Sequence, residues 1–201
     1  MTNPELDTFT TLAQNKDLTP QKKIEDLKAI MKVVQTGMLT TRDKNGNMHS
    51  RAMTPASPHS ETQLTLYFVA NNCSKKFDEL GCDKNVNVSF YDEKTTNWAS
   101  FSGVAKVTQD REEINKHWST LISSYFGDLK DGIHKGDEHD PRVSIIEVVP
   151  NEICYWVATQ GTVARAVGGL IDTVTGKTNV PGELRTITKS EIQLTQGLHS
   201  K

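Results

Sequence analysis

MLTTRDKNGNMHSRAMT, residues 38–54, holds two short extended runs around a turn. MLTTR (38–42) and MHSRAMT (48–54) flank DKNGN (43–47), in which Asn45-Gly46 supplies the positive φ angles of a tight hairpin. The stretch predicts an antiparallel hairpin, and Pro55 and Pro58 end its second strand. Upstream, Thr19-Pro20 reads as an N-cap followed by proline at the first helical position. Ile24, Leu27, Ile30, Met31 and Val34 follow at helical spacing, so the pattern predicts an amphipathic helix over 20–36, stopped by Gly37.

Downstream, Leu64, Leu66 and Phe68 alternate in a third strand, and Val86, Val88 and Phe90 in a fourth. A fifth, 97–107, contains Gly103 as a bulge or a close backbone approach. Asp110 caps a helix carrying Ile114, Trp118, Leu121 and Ile122. The glycine-rich, charged loop 126–141 reads as a flap, 142–158 as one or two strands, 161–170 as a short helix, and 173–201 as a polar tail. Consecutive short strands with hairpin signals favour a small antiparallel barrel over βαβ units. The expected class is mainly β with peripheral helices (α+β). Three segments are expected: a polar arm over 1–18, the barrel domain over 19–158, and a C-terminal helix and polar tail over 159–201.

A chain of 201 residues has ample length for one core. A net charge of −2 gives no general pull toward nucleic acid or an anionic membrane. No apolar run spans a bilayer, and the N-terminus has no basic flank or apolar core of a leader. Cys73, Cys82 and Cys154 form no CxxC pair and fit free thiols in a reducing compartment, so a cytoplasmic location is expected.

Several patterns suggest chemistry and fail on spacing. TGKT (175–178) resembles the end of a phosphate-binding loop, but the required glycine at 171 is isoleucine. His134, Asp137, Glu138, His139 and Asp140 crowd one loop at no metal-site spacing, so no metal is expected. No G-x-S-x-G occurs. Cys73 reads as a small turn residue or as a thiol activated by a helix start and two lysines. In VANNCSKKFDEL (69–80), Ser74 opens a helix with Lys75 and Lys76 in its first turn, where the dipole is already positive. Free backbone N–H groups, a hydroxyl and two ammonium groups make a compact site for a phosphate monoester. The alternative is a plain N-cap with two solvated lysines.

Taken in order, Gly37-Met38-Leu39-Thr40-Thr41, His49-Ser50-Arg51-Ala52-Met53, Leu66-Tyr67-Phe68, Ser74-Lys75-Lys76 and Asn85 through Phe90 resemble the pyridoxamine 5′-phosphate oxidase-like flavoproteins. More narrowly they resemble the general stress protein branch, which includes fungal blue-light-inducible proteins; Ser100 through Gly103, Trp118, Tyr125-Phe126-Gly127 and Tyr155-Trp156 continue the match, and 161–170 and 181–187 favour the fungal-type extension. The resemblance implies an FMN-binding split β-barrel, Greek-key-like, that pairs as a homodimer with flavin sites at the interface. FAD or a deazaflavin is the alternative cofactor.

By position, Arg51, Ala52, Met53 and Thr54 would run beside the isoalloxazine ring, and Val69 and Ala70 near the ribityl chain. Ser74, Lys75 and Lys76 would hold the phosphate. Trp98 would lie near the flavin, and Trp156 would pack by the ring from the other subunit. The chain departs from the oxidase at Thr54-Pro55-Ala56, and the oxidase's C-terminal substrate clamp has no counterpart beyond an isolated Arg165. The resemblance therefore implies a flavin-dependent oxidoreductase of other specificity, or a non-catalytic flavin sensor, carrier or buffer, rather than a pyridoxamine phosphate oxidase.

Overall fold

A computed structural model describes residues 7–161, 178 and 180–196. All but Gly161 of the helix expected at 161–170, with Arg165 in it, and all of the TGKT stretch but Thr178 lie outside the described residues. The chain divides into two compact units: the described parts of 1–34, 89–100 and 152–201 form the first, and 35–88 with 101–151 the second.

Six strands follow one path, β2 (Met48–Met53), β1 (Gly37–Arg42), β4 (Asn85–Tyr91), β5 (Trp98–Thr108), β6 (Val143–Ala158) and β3 (Leu66–Asn71), and β7 (Gly182–Ile187) pairs with β6. Among the described residues this seven-stranded sheet does not close on itself, since β2 and β3 end the path.

In the second unit, β1 and β2 are antiparallel with Leu39 opposite Arg51. Their turn is anchored by Asp43, whose Oδ1 accepts from the Asn45 and Asn47 amides, each at 2.9 Å. Of the expected Asn45-Gly46 pair only Gly46 takes a positive φ, at 87°; Asn45 does not, and the Asp43 bonds hold the turn. Strand β3 pairs antiparallel with β6, Phe68 opposite Ile146, and their inward side chains are fully buried. Each such Phe or Ile contributes about 1.5–3 kcal/mol over its exposed state.

Gly103 on β5 marks a close approach, as expected. A Cβ there would collide with the Val149 carbonyl oxygen and lie 2.9 Å from Pro150 Cα. The helix capped by Asp110 is shorter than expected. Asp110 Oδ1 accepts from the Glu112 and Glu113 amides, but α4 (Arg111–His117) stops where Trp118 turns extended, and α5 (Thr120–Ser123) leaves Leu121 exposed.

The charged loop is tied to its own base. Buried Asp140 accepts from the Gly136 amide and from Arg142, whose guanidinium also donates to the Phe126 and Gly127 carbonyls. Those bonds occupy the carboxylate that the sequence offers as a metal ligand. Among the described residues no group of three or more His, Cys, Asp or Glu is placed to hold a metal ion, and no helix is long and apolar enough to cross a membrane.

In the first unit, α2 (Pro20–Val33) buries Ile24, Leu27 and Ile30, capped by Thr19 accepting from the Lys22 amide. It ends before Gly37, which starts β1 instead. Short α1 (Thr8–Ala13) is capped by Asp7. The expected polar tail contains β7 and α6 (Lys189–Thr195), the latter with a capping box between Thr188 and Glu191. The charges of this segment are paired. Arg185 bonds Asp26 and Glu183, and Lys23 bonds Glu191 and the Thr186 carbonyl. Beneath them Tyr155, fully buried, donates to the Lys23 carbonyl at 2.9 Å. Burial pushes its phenol up to about 12.

Candidate functional site

The turn after β3 explains both asparagines of VANNCSKKFDEL. Asn71 Oδ1 accepts from the Cys73 amide, and its carbonyl accepts from the Ser74 amide and hydroxyl. Asn72 ties the turn outward, its amide donating to the Arg142 carbonyl and its side chain to the Pro141 carbonyl and Ser144. Helix α3 (Lys76–Cys82) starts later than the sequence reading placed it. Lys75 is its N-cap residue, and Ser74 spends its proton on Asn71 rather than capping the helix.

That arrangement gives the two lysines different environments. Lys75 is exposed, whereas Lys76 is half-buried and its ammonium donates to Ser74 Oγ at 2.6 Å. It also lies 5.7 Å from the Phe77 ring. Burial pushes this ammonium below its usual value, Arg51 adds to the effect, and Glu79 opposes it. No carboxylate of the described residues lies within ion-pair distance of Lys76. Two of its three N–H donors remain for an anion. Asp78 and Glu79 in the first turn offset the conflict between lysines and helix dipole.

Arg51 is engaged differently from Lys76. Its guanidinium donates to Glu79 Oε2 at 2.6 Å, to the Thr41 hydroxyl and to the Leu39 carbonyl. Thr41 donates to the same Glu79 oxygen. Thr41 is fully buried and Glu79 only 2% exposed. Burial alone would raise the Glu79 carboxyl, but the bonds from Thr41 and Arg51 prevail and hold it below its usual value. Its second oxygen, Oε1, is buried without a hydrogen-bond partner, with His49 Nε2 3.9 Å away.

The sequence reading missed Thr41 and Glu79, and only acid in the first turn of α3 hinted at Glu79. On the same hairpin Ala52 and Thr54 are exposed and Met53 is half-buried. On β3, Val69 is half-buried and Ala70 buried. The structure thus brings Ser74, Lys76, Arg51 and Glu79 into one electrostatic cluster in the second unit.

Trp98 and Trp156 lie in the first unit and line one cavity of about 430 Å³ with Phe9, Tyr91, Thr96 and Leu184. Trp156 stacks on Phe9, ring centroids 6.0 Å apart at 16°. No lining residue of this cavity is charged.

Comparison with known proteins supplies the lineage. The family model described as pyridoxamine 5′-phosphate oxidase like matches residues 22–180. Protein bli-3 of Neurospora crassa is 34% identical over 198 residues, covering 98% of this chain and 94% of that protein. Two solved structures share the fold. General stress protein 26 of Bacillus anthracis has a TM-score of 0.53 at 22% identity, over 66% of this chain and 92% of that one. A Nostoc punctiforme protein described as pyridoxamine 5′-phosphate oxidase-related and FMN-binding has a TM-score of 0.52 at 12% identity, over 74% and 95%. The open antiparallel sheet is the split β-barrel of these proteins, and the chain belongs to the pyridoxamine 5′-phosphate oxidase-like family.

Proposed function

We propose that this chain binds a flavin, FMN in particular, and works as a flavin-dependent oxidoreductase of the cytoplasm. The observation that carries the reading is Lys76: a half-buried ammonium, bonded to Ser74 and with no ion-paired carboxylate among the described residues. A cation held this way suits a phosphate dianion, and FMN is the flavin that ends in a phosphate monoester. The FMN binding of the Nostoc punctiforme protein supports the same choice. The likeness to general stress protein 26 supports a stress-linked role, and family membership supports a homodimer with flavin at its interface.

When bound, FMN supplies the redox chemistry, accepting and donating electrons on its ring. The chain's own residues bind and orient. Lys76 and Lys75 neutralise the phosphate, Ser74 fixes the Lys76 ammonium, and Asn71 and Asn72 hold the turn in place. Arg51, Ala52 and Met53 of β2, with Thr54 just after it, would offer backbone groups to the ring, and Val69 and Ala70 would flank the chain that links ring to phosphate.

A second reading, a flavin carrier or sensor, is favoured by one observation. Arg51 is paired with Glu79, so its positive charge is largely offset and would stabilise an anionic reduced ring less. Stopped-flow reduction of the flavin-loaded protein by NADH or NADPH separates the two. Fast bleaching with turnover by an added acceptor supports the enzyme. Tightly held flavin that neither donor reduces supports the carrier, and a protein that takes up no added flavin refutes both.

A further inference from the structure

In the second unit the irregular chain 54–65 joins β2 to β3 and carries an exposed tip, Ser57 through Glu61. Its base is fixed: the Ala56 amide donates to the Tyr67 carbonyl at 2.7 Å, and Leu64 is buried. The tip folds on itself through Gln63, whose Oε1 accepts from the His59 amide at 2.9 Å and whose own amide donates to the Ser60 carbonyl at 3.2 Å. From this tip His59 reaches α4. Its Nε2 lies 3.4 Å from Nε2 of His117, the last residue of that helix.

His117 is only 5% exposed, and its ring packs against two others. It stacks on Tyr67 of β3, centroids 4.3 Å apart at 20°, and meets the His59 ring at 4.6 Å and 42°. Its Nδ1 is buried with no hydrogen-bond partner, so the polar contact left to the ring is His59. That contact works in one protonation state. Two imidazoles share an N–H···N bond only while one of the facing nitrogens has no proton. Two imidazolium rings at this separation offer each other no acceptor and repel. A protonated His117 would also bury an Nδ1–H with nothing to receive it, a cost that hydration removes once the tip moves away.

The charges around the pair do not rescue the cation. Glu113, one turn earlier on α4, favours it, but its carboxylate is bonded to Lys116, which acts the other way. Tyr67 stays neutral, because burial and Glu147 of β6 push its phenol up. Glu147 is itself shared between that hydroxyl at 3.5 Å and Lys106 of β5 at 3.7 Å. Burial, with His59 adding to it, holds His117 below the usual histidine range.

We propose that His59 and His117 form a proton-sensitive clasp: near neutral pH their shared hydrogen bond holds the β2–β3 loop against α4, and in mildly acid solution its loss frees the tip. The loop continues directly from β2, so the clasp makes the chain next to the proposed ring-binding strand responsive to protons. It goes beyond the flavin reading and stands without it, because neither histidine belongs to the phosphate-binding cluster and the ligand is the proton.

Hydrogen exchange of the full chain at pH 7.5 and 5.5, with EDTA present and each rate corrected for its intrinsic pH dependence, tests the clasp without any flavin. The released state takes up its proton near the ordinary histidine value of ~6.5 and the clasped state below it. The clasp's stabilisation is therefore present above ~6.5 and lost as pH falls toward the lower value. Amides in 59–63 should lose about fivefold or more of their protection at pH 5.5. In His59→Gln that loss should vanish, because the new amide can accept from a protonated His117 as well as donate to a neutral one. His117→Phe, which keeps the stack on Tyr67 and cannot titrate, should give the same protection at both pH values. Wild-type protection that does not change with pH overturns the proposal, as does a loss of equal size in the wild type and either folded variant. Without EDTA, one Zn²⁺ bound per wild-type chain and by neither variant would make the pair a metal site and overturn it equally.

Discussion

Replacing Lys76 by methionine separates a phosphate site from a merely cationic turn. The substitution keeps the length and apolar contacts of the side chain and removes one ammonium. A hydrogen bond to a charged group contributes about 1.5–3 kcal/mol, which is roughly 10- to 150-fold in affinity. The upper half of that range is expected, because Lys76 is half-buried and pre-positioned by Ser74 at 2.6 Å. Lys75→Met should cost less, within about 1 kcal/mol, because Lys75 is exposed and makes no such bond.

Flavin fluorescence titrations with FMN and riboflavin in parallel give the readout, and the riboflavin affinity should hardly move. The pH profile adds an independent sign. The phosphate takes its second charge near pH ~6, so FMN binding should tighten as pH rises through that value. It should weaken again as the Lys76 ammonium deprotonates, at a pH below the usual lysine range because burial lowers it. Lys76→Met should keep the lower limb and lose the upper one. Equal losses for FMN and riboflavin, or an upper limb that survives in the variant, would refute the assignment.

Gly103→Ala should destabilise the fold by about 2–3 kcal/mol, because the atoms met by the new Cβ belong to the Val149-Pro150 main chain and cannot swing aside. Urea unfolding would show it as a lower midpoint at constant slope, and a wild-type midpoint would mean that the strands relax apart freely. Asp140→Asn should cost about 3 kcal/mol, since it leaves the buried Arg142 guanidinium without its counter-charge. Its pH signature follows from sign. Hydrogen bonds from Arg142 outweigh burial and hold the Asp140 carboxyl well below the usual carboxylate range. Its stabilisation is therefore present above the unfolded value near ~4 and lost as pH falls toward the folded one. Unfolding free energy measured from pH 5 downward should fall less steeply in Asp140→Asn than in the wild type, and parallel slopes would contradict the pair's role.

Local features of this fold were legible in the sequence, and features fixed by register were not. The β1–β2 hairpin and the start of α2 rest on turn and cap residues within a few positions of one another, and both stand near where the pattern put them. The end of α2 was misplaced because Gly37 pairs opposite Met53, a partner sixteen positions away that outweighs its value as a helix stop. The strand at 182–187 reads as polar tail in the sequence because Glu183 and Arg185 look solvated there. In space Arg185 meets Asp26, and Glu183 meets Arg185 and Asn15. The candidate site divides in the same way. Ser74 and Lys76 are two residues apart and could be read together, whereas Glu79 reaches Arg51 and Thr41 only through the stacking of β1, β2 and α3.

That hidden carboxylate changes how charge is distributed around any bound flavin. Arg51 alone would place a full positive charge beside β2 and favour electron density on a neighbouring ring. Paired with Glu79 at 2.6 Å and clamped by Thr41, it presents a dipole whose field falls off faster with distance. Lys76 keeps its positive charge, because no carboxylate of the described residues ion-pairs with it. A ligand with one anionic end and one neutral end would therefore feel attraction concentrated at Ser74–Lys76 and hydrogen bonding without net charge along Arg51–Thr54. An anionic phosphate joined to an uncharged oxidised ring has that polarity. If a flavin ring lies beside β2 as proposed, reduction to an anionic ring would add charge at the end where Glu79 already offsets the Arg51 cation, so the pair would favour the oxidised form. Glu79→Gln should then raise the flavin's reduction potential, and a potential that does not move would refute this reasoning.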